Sequence, residues 1–313
     1  MATESGDENS FTRPADIALP AIERAFYHVL WLLRNYLPDL VVIGGWVPYL
    51  YARFSGDPWI GYQSLTAEVD VLTVPPLLTA GRPRLDETLR DAGLAPASET
   101  GPSAVWQAPL GSGEMIEFLT PHRGVITQLG STVRVSGHGD VGAISLDAAG
   151  ILAAHTLTLS VPVGEFEGRL QRVDVRVPRL GVYVINKAVT VVARRAHTDG
   201  PNPKQAKDLV YLHDVMAASD VVRQRVEVDI RALWNAGGRT SQERQAIRSA
   251  RNNLGLVLNG ILGRTLLPAA AVQLSERDGL SVIDAEARIR GYLSDLAQML
   301  RDLSKRRVSK GPT

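Results

Sequence analysis

Glu68 and Asp70, two residues apart in "TAEVDVLTV" (66–74), have a chemistry implied by their spacing. On a strand they leave the same face with Cβ atoms about 7 Å apart, close enough to share one or two divalent cations. Like charges held that close need a counter-charge. Mg2+ supplies one while taking only a few carboxylates, and fills its octahedron with water and phosphate oxygens. Taken alone, the pair is better explained as the exposed face of an edge strand. Gly44-Gly45, closing the apolar run "LVVIGG", adds a turn whose backbone N–H groups can face an anion at a helix start, although an isolated Gly-Gly is more often an ordinary tight turn. No Gly-Lys-Ser/Thr follows and no G-x-G-x-x-G is present, so this is neither a P-loop nor a dinucleotide fingerprint. A third acid, Glu117 in "MIEFL", sits between apolar residues, where a carboxylate is costly unless solvated, paired or metal-bound. Glu114, beside Gly113, is expected to face solvent. Three acids on adjoining strands beside a glycine turn can hold the two metals that activate an attacking oxygen and neutralise a leaving pyrophosphate.

The elements that must position these groups follow from periodicity. "IALPAIERAFYHVLWLLRNYL" (17–37) has helical spacing over about five turns and ends at Pro38. "LVVIGG" then "WVPYLYARF" reads as strand, glycine turn and helix, with Pro48 tolerated in the first turn. "TAEVDVLTV" alternates as a strand up to Pro75-Pro76. "RLDETLRDAGL" predicts a helix closed near Gly93, and "SAVWQAPLGSGEMIEFLTP" two strands joined at Gly111-Ser112-Gly113. Further strands are expected at "STVRVSG" and "LQRVDVRVP", flanking a helix near "LDAAGILAAHTL". Beyond Val182 the pattern is helical to about Lys305. The fold expected is α+β, a mixed sheet with flanking helices followed by a mostly helical C-terminal domain. The segments expected are a disordered 1–14, a sheet domain at 15–180, a helical domain at 181–305 and a basic tail at 306–313.

Composition narrows the classes. With 313 residues, 45% of them apolar, the chain can bury a sizeable core, and without cysteine it has no disulfide, thiolate zinc site or cysteine nucleophile. No positive, apolar leader opens the chain and no stretch approaches the roughly 18 apolar residues of a membrane span, so a cytoplasmic protein without membrane contact is expected. From Val221 onward 16 Lys/Arg face 9 Asp/Glu, an excess of seven, which leaves −6 for residues 1–220. Such asymmetry fits either contact with an anion such as nucleic acid or a solvated helical surface. The six histidines form no metal-binding spacing, "GHGD" (137–140) reads as a turn, and Trp46, Trp59 and Trp106 read as core more readily than as base-stacking platforms.

In this frame the motifs acquire a resemblance. Gly44-Gly45, Thr66-Ala67-Glu68-Val69-Asp70 and Ile116-Glu117-Phe118-Leu119 resemble the nucleotidyltransferase superfamily, with its Gly-Gly or Gly-Ser turn, Asp-x-Asp pair and third strand acid. More narrowly they look like the branch of abortive-infection AbiEii and mycobacterial MenT toxins. Glu68, where the family carries Asp, is the departure. "INKAVTVVARR" puts Lys187 and Arg194 two turns apart on one helix face, and "KQAKDLVYL" brings Lys207-Asp208; these resemble the family's Lys, Arg and Lys-Asp positions. Only five lysines accompany 29 arginines, so Lys187 inside an apolar face suggests a compact ammonium wanted at a triphosphate, the alternative being a snorkelling side chain.

The resemblance implies a Mg2+-dependent transfer of a nucleoside monophosphate from an NTP to an acceptor hydroxyl. Gly44 and Gly45 would bind the triphosphate, Glu68, Asp70 and Glu117 the metal, and Lys187 and Arg194 the phosphates. Asp208 would orient Lys187 or act near the attacking hydroxyl, the alternative being a surface salt bridge with Lys204 or Lys207. The toxin branch implies a tRNA 3′ end as acceptor and a separate antitoxin protein as partner. The alternatives are a small-molecule acceptor, as in antibiotic adenylyltransferases, and a non-catalytic module that binds a nucleotide or partner.

Overall fold

The computed structural model describes residues 21–57, 59, 66–74, 81–108, 114–122, 130–146, 148–166, 169–193, 203–236 and 241–305. The first helix, α1 (Ala21–Leu32), ends short of Pro38. Pro38 instead is the second residue of a 3-10 turn at Leu37–Asp39, since a residue without an N–H is tolerated in the first turn of a helix and cannot continue one. Then come β1 (Leu40–Val42), α2 (Trp46–Phe54), β2 (Glu68–Thr73) and α3 (Leu85–Asp91). The predicted joint at Gly111-Ser112-Gly113, between β4 (Val105–Gln107) and β5 (Met115–Pro121), lies outside the described residues, and β4 itself pairs back to β3 (Ala95–Pro96).

β5 is the centre of the sheet. On one side it pairs in parallel with β2, which pairs antiparallel with β1; on the other it takes β4 antiparallel along its first residues and β7 (Gly142–Leu146) in parallel along its last. β6 (Thr132–Arg134) closes that edge against β7. Val69 and Val71 of β2 and Ile116 and Phe118 of β5 are buried in one hydrophobic cluster with Phe26 and Trp46. The alternate positions, 68 and 70 on β2 and 117 on β5, therefore share the other face.

Beyond β7, itself a strand absent from the sequence reading, the helix expected near "LDAAGILAAHTL" is the short α4 (Ala149–Ala154), and the chain turns at His155 into an eleven-residue strand that was not expected, β8 (Thr156–Phe166). Leu159, Val161 and Val163 are buried and alternate with Thr158, Ser160 and Pro162, a period of two that outweighs the helical reading of the preceding alanines. β8 pairs antiparallel with β9 (Arg169–Pro178), with a shift of register between Pro162 and Gly164.

The helical part holds α5 (Leu180–Ala193), α6 (Pro203–Ala217), α7 (Asp220–Ala236), α8 (Gln242–Asn259), α9 (Ile261–Asp278) and α10 (Val282–Lys305). α5 is the hub, packing against α6, α7 and α8 and burying Val182, Val184, Ile185, Ala188 and Val191. The architecture is α+β with a helical C-terminal region, as expected. Among the described residues no single helix is long and apolar enough to cross a membrane.

Candidate active site

The parallel pairing of β2 with β5 sets Asp70 directly opposite Glu117 and Glu68 opposite Met115. The three predicted acids converge: one carboxylate oxygen from each of Glu68, Asp70 and Glu117 lies within 4.8 Å of the others. The strand that carries two of them is fixed from behind. The N–H of Ile43 donates to the Asp70 carbonyl at 2.9 Å, and the Trp46 indole N–H donates to the Glu68 carbonyl at 3.0 Å. Trp46 in turn stacks on Phe26, with centroids 3.9 Å apart, so it is a core residue and not a base-stacking platform.

Asp70 is the most constrained of the three. Its Oδ1 is closed to solvent and, among the described residues, has no hydrogen-bond partner. Burial, reinforced by Glu117 and opposed by Lys187, pushes its carboxyl up to about 7. A shielded carboxylate oxygen without a donor, beside two more carboxylates, is a site that a hard divalent cation fits, because such ions take oxygen ligands and offset the repulsion.

The glycine turn is shaped by these neighbours. Gly44 has φ +72°, and a Cβ there would fall inside the Asp70 carboxylate. Gly45 has an ordinary helical conformation as the N-cap of α2, but a Cβ on it would collide with the Tyr211 hydroxyl. Both positions are glycine because of close approach, one to the acids and one to α6. The start of α2, with its outward N–H groups and partial positive charge, is thereby set against the carboxylates.

Lysines face the acids from the helical side. Lys187 on α5 is buried to 7% exposure, and its ammonium donates to Asp208 Oδ1 at 2.7 Å. The Thr190 hydroxyl donates to Asp208 Oδ2 at 3.1 Å. The rings of Tyr183 and Tyr211 lie 5.7 and 5.1 Å from the Lys187 ammonium. Among the described residues the lysine paired with Asp208 is Lys187, and not Lys204 or Lys207, the two that a surface salt bridge would use. Lys204 Nζ instead stands 4.0 Å from Glu68 Oε2. Lys207 lies 5.7 Å from the Tyr211 ring, and burial lowers its pKa. Arg194 lies outside the described residues.

The sequence reading named Lys207 and Asp208 but not the face that carries them: Lys204, Lys207, Asp208 and Tyr211 fall at i, i+3, i+4 and i+7 of α6. Glu114, expected to face solvent, is buried at 7% exposure and 3.2 Å from His28 Nδ1, because the period of two turns it to the rear of the sheet, toward α1. "GHGD" is indeed a turn, and its His138 is structural: fully buried, it accepts the Leu85 N–H at 3.2 Å through Nδ1, at the start of α3.

A family model described as nucleotidyltransferase matches residues 33–236. The match runs from ahead of β1 to the end of α7, and so spans every candidate residue above. No curated protein and no solved structure matches the chain.

Proposed function

The chain belongs to the nucleotidyltransferase family and is an enzyme of nucleoside-monophosphate transfer; on that premise we propose that it works with Mg2+, that its acceptor is the 3′ end of a tRNA, and that it is the toxin of a toxin–antitoxin pair. The observation that carries the metal-dependent reading is the convergence of Glu68, Asp70 and Glu117 around an Asp70 oxygen that no donor among the described residues satisfies.

In this reading the Gly44-Gly45 turn and the start of α2 bind the triphosphate, with Gly44 keeping the phosphates close to the carboxylates. Glu68, Asp70 and Glu117 hold the metal. The chemistry that a divalent ion supplies at such a site is activation of the attacking hydroxyl and neutralisation of the leaving pyrophosphate. Lys187 meets the phosphates, joined by Arg194, and Asp208 with Thr190 fixes the Lys187 ammonium, which makes Asp208 a positioning residue. The acceptor oxygen bonds to the α-phosphorus while the bond to the β-phosphate oxygen breaks, so pyrophosphate departs. The excess of seven positive charges beyond residue 220 supports a polyanionic acceptor, docked through its backbone with a steep salt dependence.

Label transfer tests this directly. Purified protein with Mg2+, each α-labelled NTP in turn and total tRNA should label the tRNA, and Asp70→Ala and Lys187→Ala should abolish it. NTP turnover without labelled tRNA would move the acceptor to a small molecule. For the toxin role, expression should arrest growth, and a protein encoded beside it should relieve the arrest; growth unaffected by an active enzyme would sink that part alone.

A further inference from the structure

We infer that Lys204 is an exchangeable counter-ion: it holds the charge of Glu68 in the ligand-free protein and moves to a phosphate oxygen once a metal and triphosphate enter. The inference rests on reading Glu68 as a metal ligand. Glu68 contributes one oxygen to the carboxylate trio while its Oε2 lies 4.0 Å from Lys204 Nζ, so the same side chain faces two cation positions. The contact joins strand β2 to the first turn of α6.

The lysines differ in exposure. Lys187 is buried and locked to Asp208 at 2.7 Å, whereas the Lys204 side chain is 57% exposed, on the first turn of α6. A solvated ammonium on a flexible four-carbon stem can change partners at little cost. An ammonium so near a carboxylate competes with any metal for it, and the same ammonium attracts a polyphosphate. One residue should therefore act with opposite signs on the two ligands, which an ordinary surface ion pair would not do.

The test measures Mn2+ binding by electron paramagnetic resonance without nucleotide, and Mg2+-tripolyphosphate binding by calorimetry, in wild type, Lys204→Ala, Lys204→Arg, Glu68→Asp and Asp70→Ala. Lys204→Ala should tighten Mn2+ binding about two- to fivefold, the size of an exposed ion-pair contribution, and weaken Mg2+-tripolyphosphate by a similar factor. Lys204→Arg should restore both. Glu68→Asp should remove the competition, so that Lys204→Ala adds no further gain in Mn2+ affinity in that background. Unchanged or weakened Mn2+ binding in Lys204→Ala, or strictly additive effects, overturns the exchange. Wild-type Mn2+ binding that survives Asp70→Ala overturns the carboxylate trio as the metal site, and the exchange with it; binding lost in Asp70→Ala but indifferent to Lys204 overturns the exchange alone.

Discussion

Lys187 on α5 and Asp208 on α6 form a 2.7 Å ion pair with both side chains more than nine-tenths buried, and Thr190 takes the second carboxylate oxygen. Breaking one member leaves an uncompensated buried charge, which costs about 3–5 kcal/mol. Asp208→Ala should therefore lower the urea midpoint of unfolding strongly, and Lys187→Ala/Asp208→Ala should cost clearly less than the sum of the single changes. Additive losses would mean that the two groups do not depend on each other.

Gly44 meets two obstacles to substitution, a left-handed φ and the Asp70 carboxylate. The conformation alone costs about 1–2 kcal/mol in an L-residue, and overpacking adds about 1–3 kcal/mol. Gly44→Ala is expected to lose metal binding and transfer together with stability. Transfer at the wild-type rate in a folded Gly44→Ala protein would contradict the close approach.

Asp70 gives a pH signature with a definite sign. Its carboxyl is raised from 3.8 to about 7 in the fold, so between those values the folded state holds more protons than the unfolded state. Its contribution makes the metal-free protein less stable as pH rises from about 4 to 7. Asp70→Asn should flatten that part of the profile in calorimetric scans. Mg2+, which must displace the proton, should raise the melting temperature more at pH 8 than at pH 6 in wild type and little at either pH in Asp70→Asn. An equal Mg2+ effect at both pH values would refute this assignment.

His138 offers the opposite case, a buried histidine that serves structure alone. His138→Ala leaves the Leu85 N–H without its acceptor and should destabilise the fold by about 1–3 kcal/mol. Transfer activity well below the unfolding transition should stay close to wild type. A selective loss of turnover would return this histidine to the chemistry.

Much of the site was legible because its determinants are local in sequence. Glu68-x-Asp70 shares a strand face by the period of two, and Gly44-Gly45 divides strand from helix; both hold in the structure. The adjacency of Glu117 to Asp70 depends on which strands pair, information carried by the whole sheet and by no single segment. β8 was missed because the alanines of α4 run into it without a turn residue, although Leu157 to Val163 alternates. The reversal of Glu114 follows from the same period that places Glu117, applied three residues earlier. The choice of Lys187 as the partner of Asp208 is tertiary, set by how α5 packs on α6.

The register of β2 against β5 has a consequence for folding. Two parallel strands, 47 positions apart at residues 70 and 117, must meet in one alignment. A slip of a single residue would turn Glu117 into the apolar rear and bring Ile116 or Phe118 to the front. Chemistry and core thus police one another: an alignment that buries the hydrophobic residues is the alignment that gathers the acids, so a misthreaded sheet is both unstable and inert. Turnover by this enzyme is then a readout of strand alignment as much as of its side chains.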